Sequence, residues 1–363
     1  MELPNIYNGN YKLLIILPLI LIVASLLLLP NIKLGVEFRG GTLITLSIDQ
    51  KMDPKVIEQN LKLEGIDAKV DIIETTLGYK AEINVPQNEK LVTADELKEQ
   101  FTVKIINATQ LLIEEQDKNI TTGGYYNAKT ELDNISNQMF LLAGRSQNAA
   151  TITDLNQFEK EFYIAYNEIY KNYRLSIEIP INKHLTYSSI SIETVSPSLS
   201  KKFISGATTV MLLSAILSTI FVFIFMRAPI PSLAVVIGAA SDVLIALGAM
   251  GLFGIPLTLP SFAALLMLVG FSLDTDILLT TRMLTKSGNP REKAFDSMKT
   301  GMTMTSSAIV AFLVLFALAT FTGINTYYEI SAVALAGLLG DLFATWGING
   351  VLMLWYVEKK EVA

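Results

Sequence analysis

Single aspartates interrupt long apolar stretches in the second half of the chain, and their carboxyl groups suit proton or ion chemistry. They are Asp242, Asp274, Asp276 and Asp341. A charged group at the centre of a membrane-spanning helix costs about 2.5 to 3.5 kcal/mol on insertion scales, so it usually faces protein or water. Arg282 follows Asp274 by eight residues, and a cation near a buried carboxyl group is what a protonation switch requires. We therefore predict a charge cluster of Asp242, Asp274 or Asp276, and Arg282, with Asp341 as a further candidate.

Helical geometry limits how these groups can meet. Residues two apart on a helix differ by about 200°, so Asp274 and Asp276 cannot share a face. Arg282 lies about 80° round the axis from Asp274 and about 12 Å along it, so a pair needs a neighbouring helix or water. Four hydroxyl residues further on could carry water into the same interior, or could only bond backbone carbonyls: Thr303, Thr305, Ser306 and Ser307.

Several other classes of chemistry are excluded. The sequence has no Cys and a single His, His184, so disulfides, thiol chemistry and Cys-based metal sites are ruled out. It has no Walker loop, no His-Glu-x-x-His motif and no nucleophile elbow. We therefore expect no enzyme activity, no cofactor and no metal site. The net charge of −6 lacks the basic excess of a nucleic-acid-binding protein, so DNA and RNA are not expected partners.

The aspartates lie in apolar runs long enough to cross a bilayer, which takes about 20 residues. The predicted spans are residues 13–30, 203–226, 230–252, 257–281, 300–328 and 330–357. A cleaved signal peptide is the alternative for the first run, but that run is long and lacks an A-x-A-like end. The sequence thus predicts an α-helical membrane protein with six transmembrane helices, one followed by five.

The basic residues set an expected orientation. Five Lys and Arg residues lie between the fourth and fifth spans, and the short loops on the opposite side have none. The positive-inside tendency then places both termini in the cytoplasm. We expect residues 1–30 to form a cytoplasmic tail and the first span, 31–202 an extracytoplasmic domain, 203–357 the five-helix bundle, and 358–363 a cytoplasmic tail.

The sequence of the predicted extracytoplasmic domain indicates an α+β fold. Its expected elements are strands at 43–48, 70–75, 79–85 and 188–194, and helices at 54–63 and 93–100. Asp53 is the expected cap of the first helix, and Thr93 with Glu96 is spaced as a capping box for the second. Strand, helix, hairpin, helix and closing strand indicate a ferredoxin-like domain, with an insertion at about 103–183. In that insertion an aromatic stripe at residues 158–170 favours a packed face over a ligand site.

Three segments resemble the SecF family of export accessory subunits, in its archaeal form, within the resistance-nodulation-division superfamily. The segment after the first span is similar to the family's G-(I/V)-(D/E)-F-x-G-G motif, through Glu37, Phe38, Gly40 and Gly41. Pro197 lies in a segment that resembles V-G-P-x-x-G before the second span. Residues 270–276, followed by Arg282, resemble the fourth-span motif.

The chain departs from the bacterial pattern at two places. The bacterial fourth-span motif has one Asp at the position of Thr275, which here is flanked by Asp274 and Asp276. Thr300, with Lys299 adjacent, stands where the bacterial fifth span begins with a basic residue.

The resemblance implies a protein-translocation role in the plasma membrane. It implies pairing with SecD, assistance to the SecY channel, contact with unfolded secretory polypeptide and with membrane lipid, and the proton gradient as candidate energy source. The alternatives are a small-molecule or lipid exporter of the resistance-nodulation-division type, and a scaffold that only stabilises a partner complex.

Overall fold

The computed structural model describes residues 4–75, 78–118 and 123–362, which fold as two compact units. The membrane unit comprises Met1–Phe38, Thr75–Leu77 and Phe203–Ala363, and the sheet unit comprises Arg39–Glu74 and Gly78–Lys202. The membrane unit therefore continues to Phe38, beyond the expected end of the first span at residue 30.

The structure contains helices, four strands and one π-helical segment among the described residues. The helices are α1 (Ile16–Leu28), α2 (Val36–Arg39), α3 (Pro54–Leu63), α4 (Glu89–Lys118), α5 (Gly124–Leu142), α6 (Leu155–His184), α7 (Pro197–Met226), α8 (Pro229–Phe253), α9 (Leu259–Thr285), α10 (Pro290–Thr322), α11 (Asn325–Ala344) and α12 (Gly350–Val362). The strands are β1 (Gly41–Ile48), β2 (Lys69–Thr75), β3 (Gly78–Val85) and β4 (Ser189–Val195). The π-helical segment, Thr345–Asn349, joins α11 to α12.

The four strands form one sheet in the order β2-β3-β1-β4, with β1 antiparallel to both of its neighbours. This is the strand order of the predicted ferredoxin-like domain. Ile44 pairs with Ile83 on one side and Ile192 on the other. Alternating strand residues face one side, so Ile44, Leu46 and Ile83 are fully buried in a core that includes Ile57 of α3.

Side-chain caps fix where α3 and α4 begin. Asp53 Oδ1 accepts a bond from Lys55 N at 2.9 Å, which confirms the predicted cap of α3. The predicted start of the next helix at Thr93 is wrong. Asn88 Oδ1 accepts from Lys90 N at 2.9 Å, so the helix begins one turn earlier, and the Thr93 hydroxyl donates to the Glu89 carbonyl inside it. The predicted hairpin turns around Leu77 and Gly78; residues 76–77 lie outside the described residues, and Gly78 is the first residue of β3.

Helices α4, α5 and α6 enlarge the second crossover of the sheet unit and have a hydrophobic core of their own. Phe101, Phe140, Phe158 and Phe162 are fully buried there. The rings of Phe101 and Phe162 stack with centroids 3.8 Å apart. The aromatic stripe of α6 is therefore a packed face, as the sequence indicated.

Six helical stretches in the described residues are long and apolar enough to cross a membrane: Tyr11–Asn31, Leu199–Met226, Pro229–Phe253, Leu259–Thr285, Pro290–Thr322 and Asn325–Lys360. This confirms the predicted number of spans. Helices α8, α9 and α11 pack on one another, α1 lies against α8, and α10 packs on α9 and α11. From Phe203 onward α7 buries only Val222.

Glycines allow the central helices to approach closely. A Cβ on Gly337 of α11 would lie 2.2 Å from Leu268 Cδ2, and one on Gly340 would lie 2.8 Å from Ile245 Cγ2. Small residues permit this backbone approach between membrane helices. The tight packing holds the polar side chains of α8, α9 and α11 in a common interior.

Candidate functional site

Three carboxyl groups meet inside the membrane unit. They belong to Asp242 of α8, Asp276 of α9 and Asp341 of α11, and each residue is fully buried. The helices that carry them pack on one another. We call these three residues the carboxylate cluster.

Asp341 is the most extensively bonded member of the cluster. Its Oδ2 accepts from Thr305 Oγ1 at 3.2 Å and from Thr275 Oγ1 at 3.5 Å. Its Oδ1 lies 2.8 Å from Thr345 Oγ1. The donors come from α9, α10 and the π-helical segment, so this one carboxyl group links three elements.

Asp276 is held by the π-helical segment. Its Oδ1 accepts from Asn349 Nδ2 at 2.8 Å and lies 3.0 Å from Thr345 Oγ1. Its Oδ2 is buried without a hydrogen-bond partner, as is Asn349 Oδ1. Thr345 therefore contacts both Asp276 and Asp341, although a hydroxyl has only one proton to donate.

Asp242 completes the cluster. Its Oδ2 accepts from Ser272 Oγ at 2.5 Å, and its carboxyl group is within hydrogen-bonding reach of that of Asp341. Its Oδ1 is buried and has no partner. Buried polar groups are normally bonded, so the unpartnered oxygens of Asp242 and Asp276 set these two residues apart from Asp341.

In the part of the chain that the structure describes, the cluster has no basic partner. Among the described residues, no Lys or Arg forms an ion pair with any of its three members. Three ionised carboxylates this close would repel one another strongly in a low-dielectric interior. A proton on one of the carboxyl groups would relieve this repulsion and would let that group donate a hydrogen bond to the next.

The π-helical segment supplies two polar side chains that contact the cluster. A π-helical turn inserts one residue into the helix and often occurs at functional sites. Here it lies in the sixth span and presents Thr345 and Asn349 toward Asp276. The sequence reasoning did not identify these two residues or Ser272. Their only signal was a polar side chain within an apolar run.

Two predicted members lie outside the cluster. Asp274 is exposed on the outer face of α9, as expected from its angle to Asp276. Arg282 donates to Thr300 Oγ1 at 2.7 Å and to the Asp296 carbonyl at 3.4 Å, so it binds α10 and not the carboxyl groups. Arg282 makes no direct bond to the carboxylate cluster among the described residues, because its side chain lies about two turns along α9 from the carboxyl groups and finds nearer acceptors; its part in proton chemistry stays a prediction.

Only one of the four predicted hydroxyl residues of α10 reaches the cluster, namely Thr305. Thr303 and Ser307 donate to backbone carbonyls one turn earlier. For these two residues the simpler interpretation, a hydroxyl bonded to its own helix, describes the structure.

Comparison with known proteins places the chain in a family. The family model described as "Protein export membrane protein SecD/SecF, C-terminal" matches residues 179–359, and the "SecD/SecF GG Motif" model matches residues 32–52. The chain belongs to the SecD/SecF family. With its six spans, it is a multi-pass membrane member of that family.

Individual SecD/SecF relatives match over different lengths. The protein-export membrane protein SecF of Methanothermobacter thermautotrophicus is 43% identical over 173 residues, which are 47% of this chain and 60% of that protein. The SecF protein of Methanocaldococcus jannaschii is 28% identical over 357 residues, 96% of this chain and 97% of that protein. Across the first four relatives the chain matches between 48% and 64% of their length.

A solved SecD/SecF-type structure has the same fold. The crystal structure of SecDF, a translocon-associated membrane protein from Thermus thermophilus, matches with a TM-score of 0.60 at 14% identity. The match covers 96% of this chain and 38% of the SecDF chain.

The GG motif of this SecD/SecF member begins beside α9. Gly35 N donates to the Leu257 carbonyl at 2.7 Å, and Leu257 N donates to the Lys33 carbonyl at 2.8 Å. Glu37 Oε1 accepts from Leu259 N, the first residue of α9, at 3.4 Å. A carboxylate at a helix N-terminus is favourable, so the motif is anchored to the helix that carries Asp276.

The remaining motif residues have backbone or packing roles. Phe38 packs on Phe262, with ring centroids 6.4 Å apart. Gly40 and Gly41 have φ angles of +74° and +110°, and a Cβ on Gly41 would lie 2.6 Å from the Val85 carbonyl oxygen. L-residues rarely adopt such angles, so both positions favour glycine. Pro197 is the first residue of α7, where a missing N–H removes no helical bond.

Proposed function

We propose that this chain is a non-enzymatic accessory subunit of protein export. It pairs with SecD in the plasma membrane and acts on the SecY channel to promote movement of unfolded polypeptide. The support is membership of the SecD/SecF family, the six spans and the buried carboxylate cluster. Both termini and the basic loop lie in the cytoplasm in this proposal, because the positive-inside tendency favours that orientation.

The contacts of Thr345 carry the mechanistic part of the proposal. Its hydroxyl lies within 3.0 Å of Asp276 and 2.8 Å of Asp341, and it can donate to only one of them at a time. Binding or release of a proton at one carboxyl group changes which bonds the other can form. Because these groups join α8, α9 and α11, proton exchange biases how the helices pack, with the proton gradient as energy source.

A matched pair of variants tests this role. Asp276→Asn removes a titratable group from the cluster, whereas Asp274→Asn makes the same change two residues away on the exposed face. We expect Asp276→Asn to lose most of the stimulation of polypeptide translocation in vesicles that also contain SecD and SecY. Asp274→Asn retains it. Normal translocation by Asp276→Asn contradicts the mechanism.

Recovery of partners tests the subunit assignment separately. Purification from native membranes followed by mass spectrometry should recover SecD with both variants, and SecY with the intact assembly. A preparation that lacks both proteins and carries a stoichiometric lipid or small molecule would instead support an exporter of the resistance-nodulation-division type.

A further inference from the structure

The segment before the first span lies directly against the π-helical segment. Tyr7 is fully buried, and its hydroxyl donates to the Trp346 carbonyl at 3.0 Å. Burial raises the pKa of Tyr7 above its ordinary value, so the hydroxyl keeps its proton and remains a donor. Tyr7 thus donates a side-chain hydrogen bond to the second residue of the π-helical segment.

Two glycines make room for this contact. A Cβ on Gly350 would lie 2.7 Å from the Tyr7 hydroxyl oxygen. A Cβ on Gly347 would lie 2.8 Å from both the Leu14 carbonyl oxygen and Pro18 Cγ. The chain from Tyr7 to Pro18 therefore packs against the backbone of the π-helical segment and its end.

Further bonds anchor the same stretch of chain. Arg291 donates to the Asn8 carbonyl at 3.1 Å, and Asn5 Nδ2 donates to the Arg291 carbonyl at 3.2 Å. Tyr11 donates to Glu358 Oε2 at 2.8 Å, and Glu358 also pairs with Arg291 at 3.0 Å. These contacts hold residues 5–11 against the start of α10 and the end of α12.

The π-helical segment is also what holds Asp276, through Thr345 and Asn349. Trp346, which Tyr7 contacts, directly follows Thr345 in the chain. We infer that Tyr7 is a positioning residue that fixes the π-helical segment and so sets the hydrogen bonds to Asp276. The N-terminal segment is then a control element for the carboxylate cluster, an inference that rests on the proposed function of that cluster.

The groups around Asp276 define what the inference predicts. The titratable groups that face it are Asp341 of α11 and Asp242 of α8. The π-helical segment contributes only Thr345 and Asn349, which do not titrate in this range. Hydrogen bonds from such donors favour an ionised carboxylate, so loosening the segment should allow Asp276 to keep its proton to higher pH.

The test compares two tyrosines of the same segment. Tyr7→Phe removes the hydroxyl that bonds the Trp346 carbonyl, and Tyr11→Phe removes one that bonds Glu358 instead. Dicyclohexylcarbodiimide labels protonated carboxyl groups in the membrane, and mass spectrometry locates the label on Asp276. We expect Tyr7→Phe to move the labelling midpoint by about 0.5 pH unit or more to higher pH, about threefold in the proton-binding equilibrium. We expect Tyr11→Phe to leave it unchanged.

Gly350→Ala provides a second variant, because its methyl group would displace the Tyr7 hydroxyl without altering Tyr7. It should shift the midpoint in the same direction in the full-length protein. An unchanged midpoint in Tyr7→Phe and Gly350→Ala overturns the inference, and so does an equal shift in Tyr11→Phe. Labelling does not require export, so normal translocation by Asp276→Asn would refute the proposed function and leave this result intact.

Discussion

Asp276 and Asp341 share one hydroxyl group, with Thr345 Oγ1 at 3.0 Å from the first carboxyl group and 2.8 Å from the second. Since the hydroxyl donates a single proton, one contact is a bond from Thr345 and the other requires a protonated carboxyl group that donates to it. In the proposed function, this geometry couples the protonation of Asp276 to that of Asp341 through Thr345. This coupling has a direct mutational test.

Thr345→Val should uncouple the two carboxyl groups, whereas Thr345→Ser should preserve the coupling. Valine keeps the branched shape but leaves a buried acceptor without its donor, at a cost of about 1 to 3 kcal/mol. Serine keeps the hydroxyl and loses only a methyl group. Stability in detergent and SecD-dependent translocation are measured for both. Equal translocation by the Val and Ser variants would show that the shared hydroxyl is not required.

Gly238 of α8 provides a steric test of Asp276. A Cβ on Gly238 would lie 2.3 Å from Asp276 Oδ2, so Gly238→Ala must displace the carboxyl group or separate α8 from α9. Overpacking of this kind costs about 1 to 3 kcal/mol. Gly270→Ala is the matched control, since nothing lies within 4 Å of a Cβ there. We expect reduced stability and altered carbodiimide labelling of Asp276 only in Gly238→Ala. Equal stability and equal labelling of Asp276 in the two variants would contradict the close approach of Gly238 to the Asp276 carboxyl group.

The fold of the sheet unit could be predicted because its signals are local. Asp53 before Pro54 marks the start of α3, and the alternation of residues 43–48 marks β1. The span count followed from apolar runs of sufficient length, with at most two charged residues in each. These patterns depend on short stretches of sequence, so a single chain is enough to read them.

The composition of the carboxylate cluster could not be predicted in the same way. Angular spacing showed that Asp274 and Asp276 point apart, but apolar residues cover both faces of a membrane helix, so hydrophobicity does not show which face is inward. Asp341 and Thr345 meet Asp276 through tertiary packing. The π-helical segment has no local sequence signal that distinguishes it from the α-helix on either side.

Truncation of a buried aromatic side chain in the core of α4, α5 and α6 should cause a large loss of stability. Phe162 is fully buried and its ring stacks on that of Phe101, so Phe162→Ala should destabilise this part of the sheet unit by about 3 to 5 kcal/mol. Leu141→Ala is the control, because Leu141 is 78% exposed and should change stability by less than about 0.5 kcal/mol. Hydrogen exchange along α4 and α6 is the readout, since both Trp residues lie in the membrane unit. If the amides of α4 and α6 exchanged as slowly in Phe162→Ala as in the unaltered chain, these helices would not depend on a cooperative aromatic core.

Arg145, which follows α5, forms ion pairs whose contribution to stability should be lost at acid pH. Arg145 donates from Nε and Nη2 to the Glu168 carboxylate at 2.6 and 2.7 Å, and from Nη1 to Glu161 at 2.9 Å. Hydrogen bonding by Arg145 holds the pKa of Glu168 below its ordinary value of 4.5. A lowered carboxyl pKa contributes stability that is present above the unfolded-state value and is lost as the pH falls through the folded-state value. Arg145 stays protonated throughout this range and adds no pH dependence of its own.

Glu168→Gln should therefore reduce the stability of the α5–α6 connection at pH 7. Between pH 5 and about pH 3, the stability of this variant should fall less than that of the unaltered chain. Because the Glu168 side chain is 42% exposed, solvent screening limits the effect to below about 1 kcal/mol. Arg145→Lys should give a similar loss at pH 7, since an ammonium group cannot form the two parallel bonds to Glu168. Hydrogen exchange of α6 amides across this pH range measures both variants. If the α6 amides of Glu168→Gln exchanged at pH 7 as slowly as those of the unaltered chain, the bond to Arg145 would add no stability there, which contradicts the prediction.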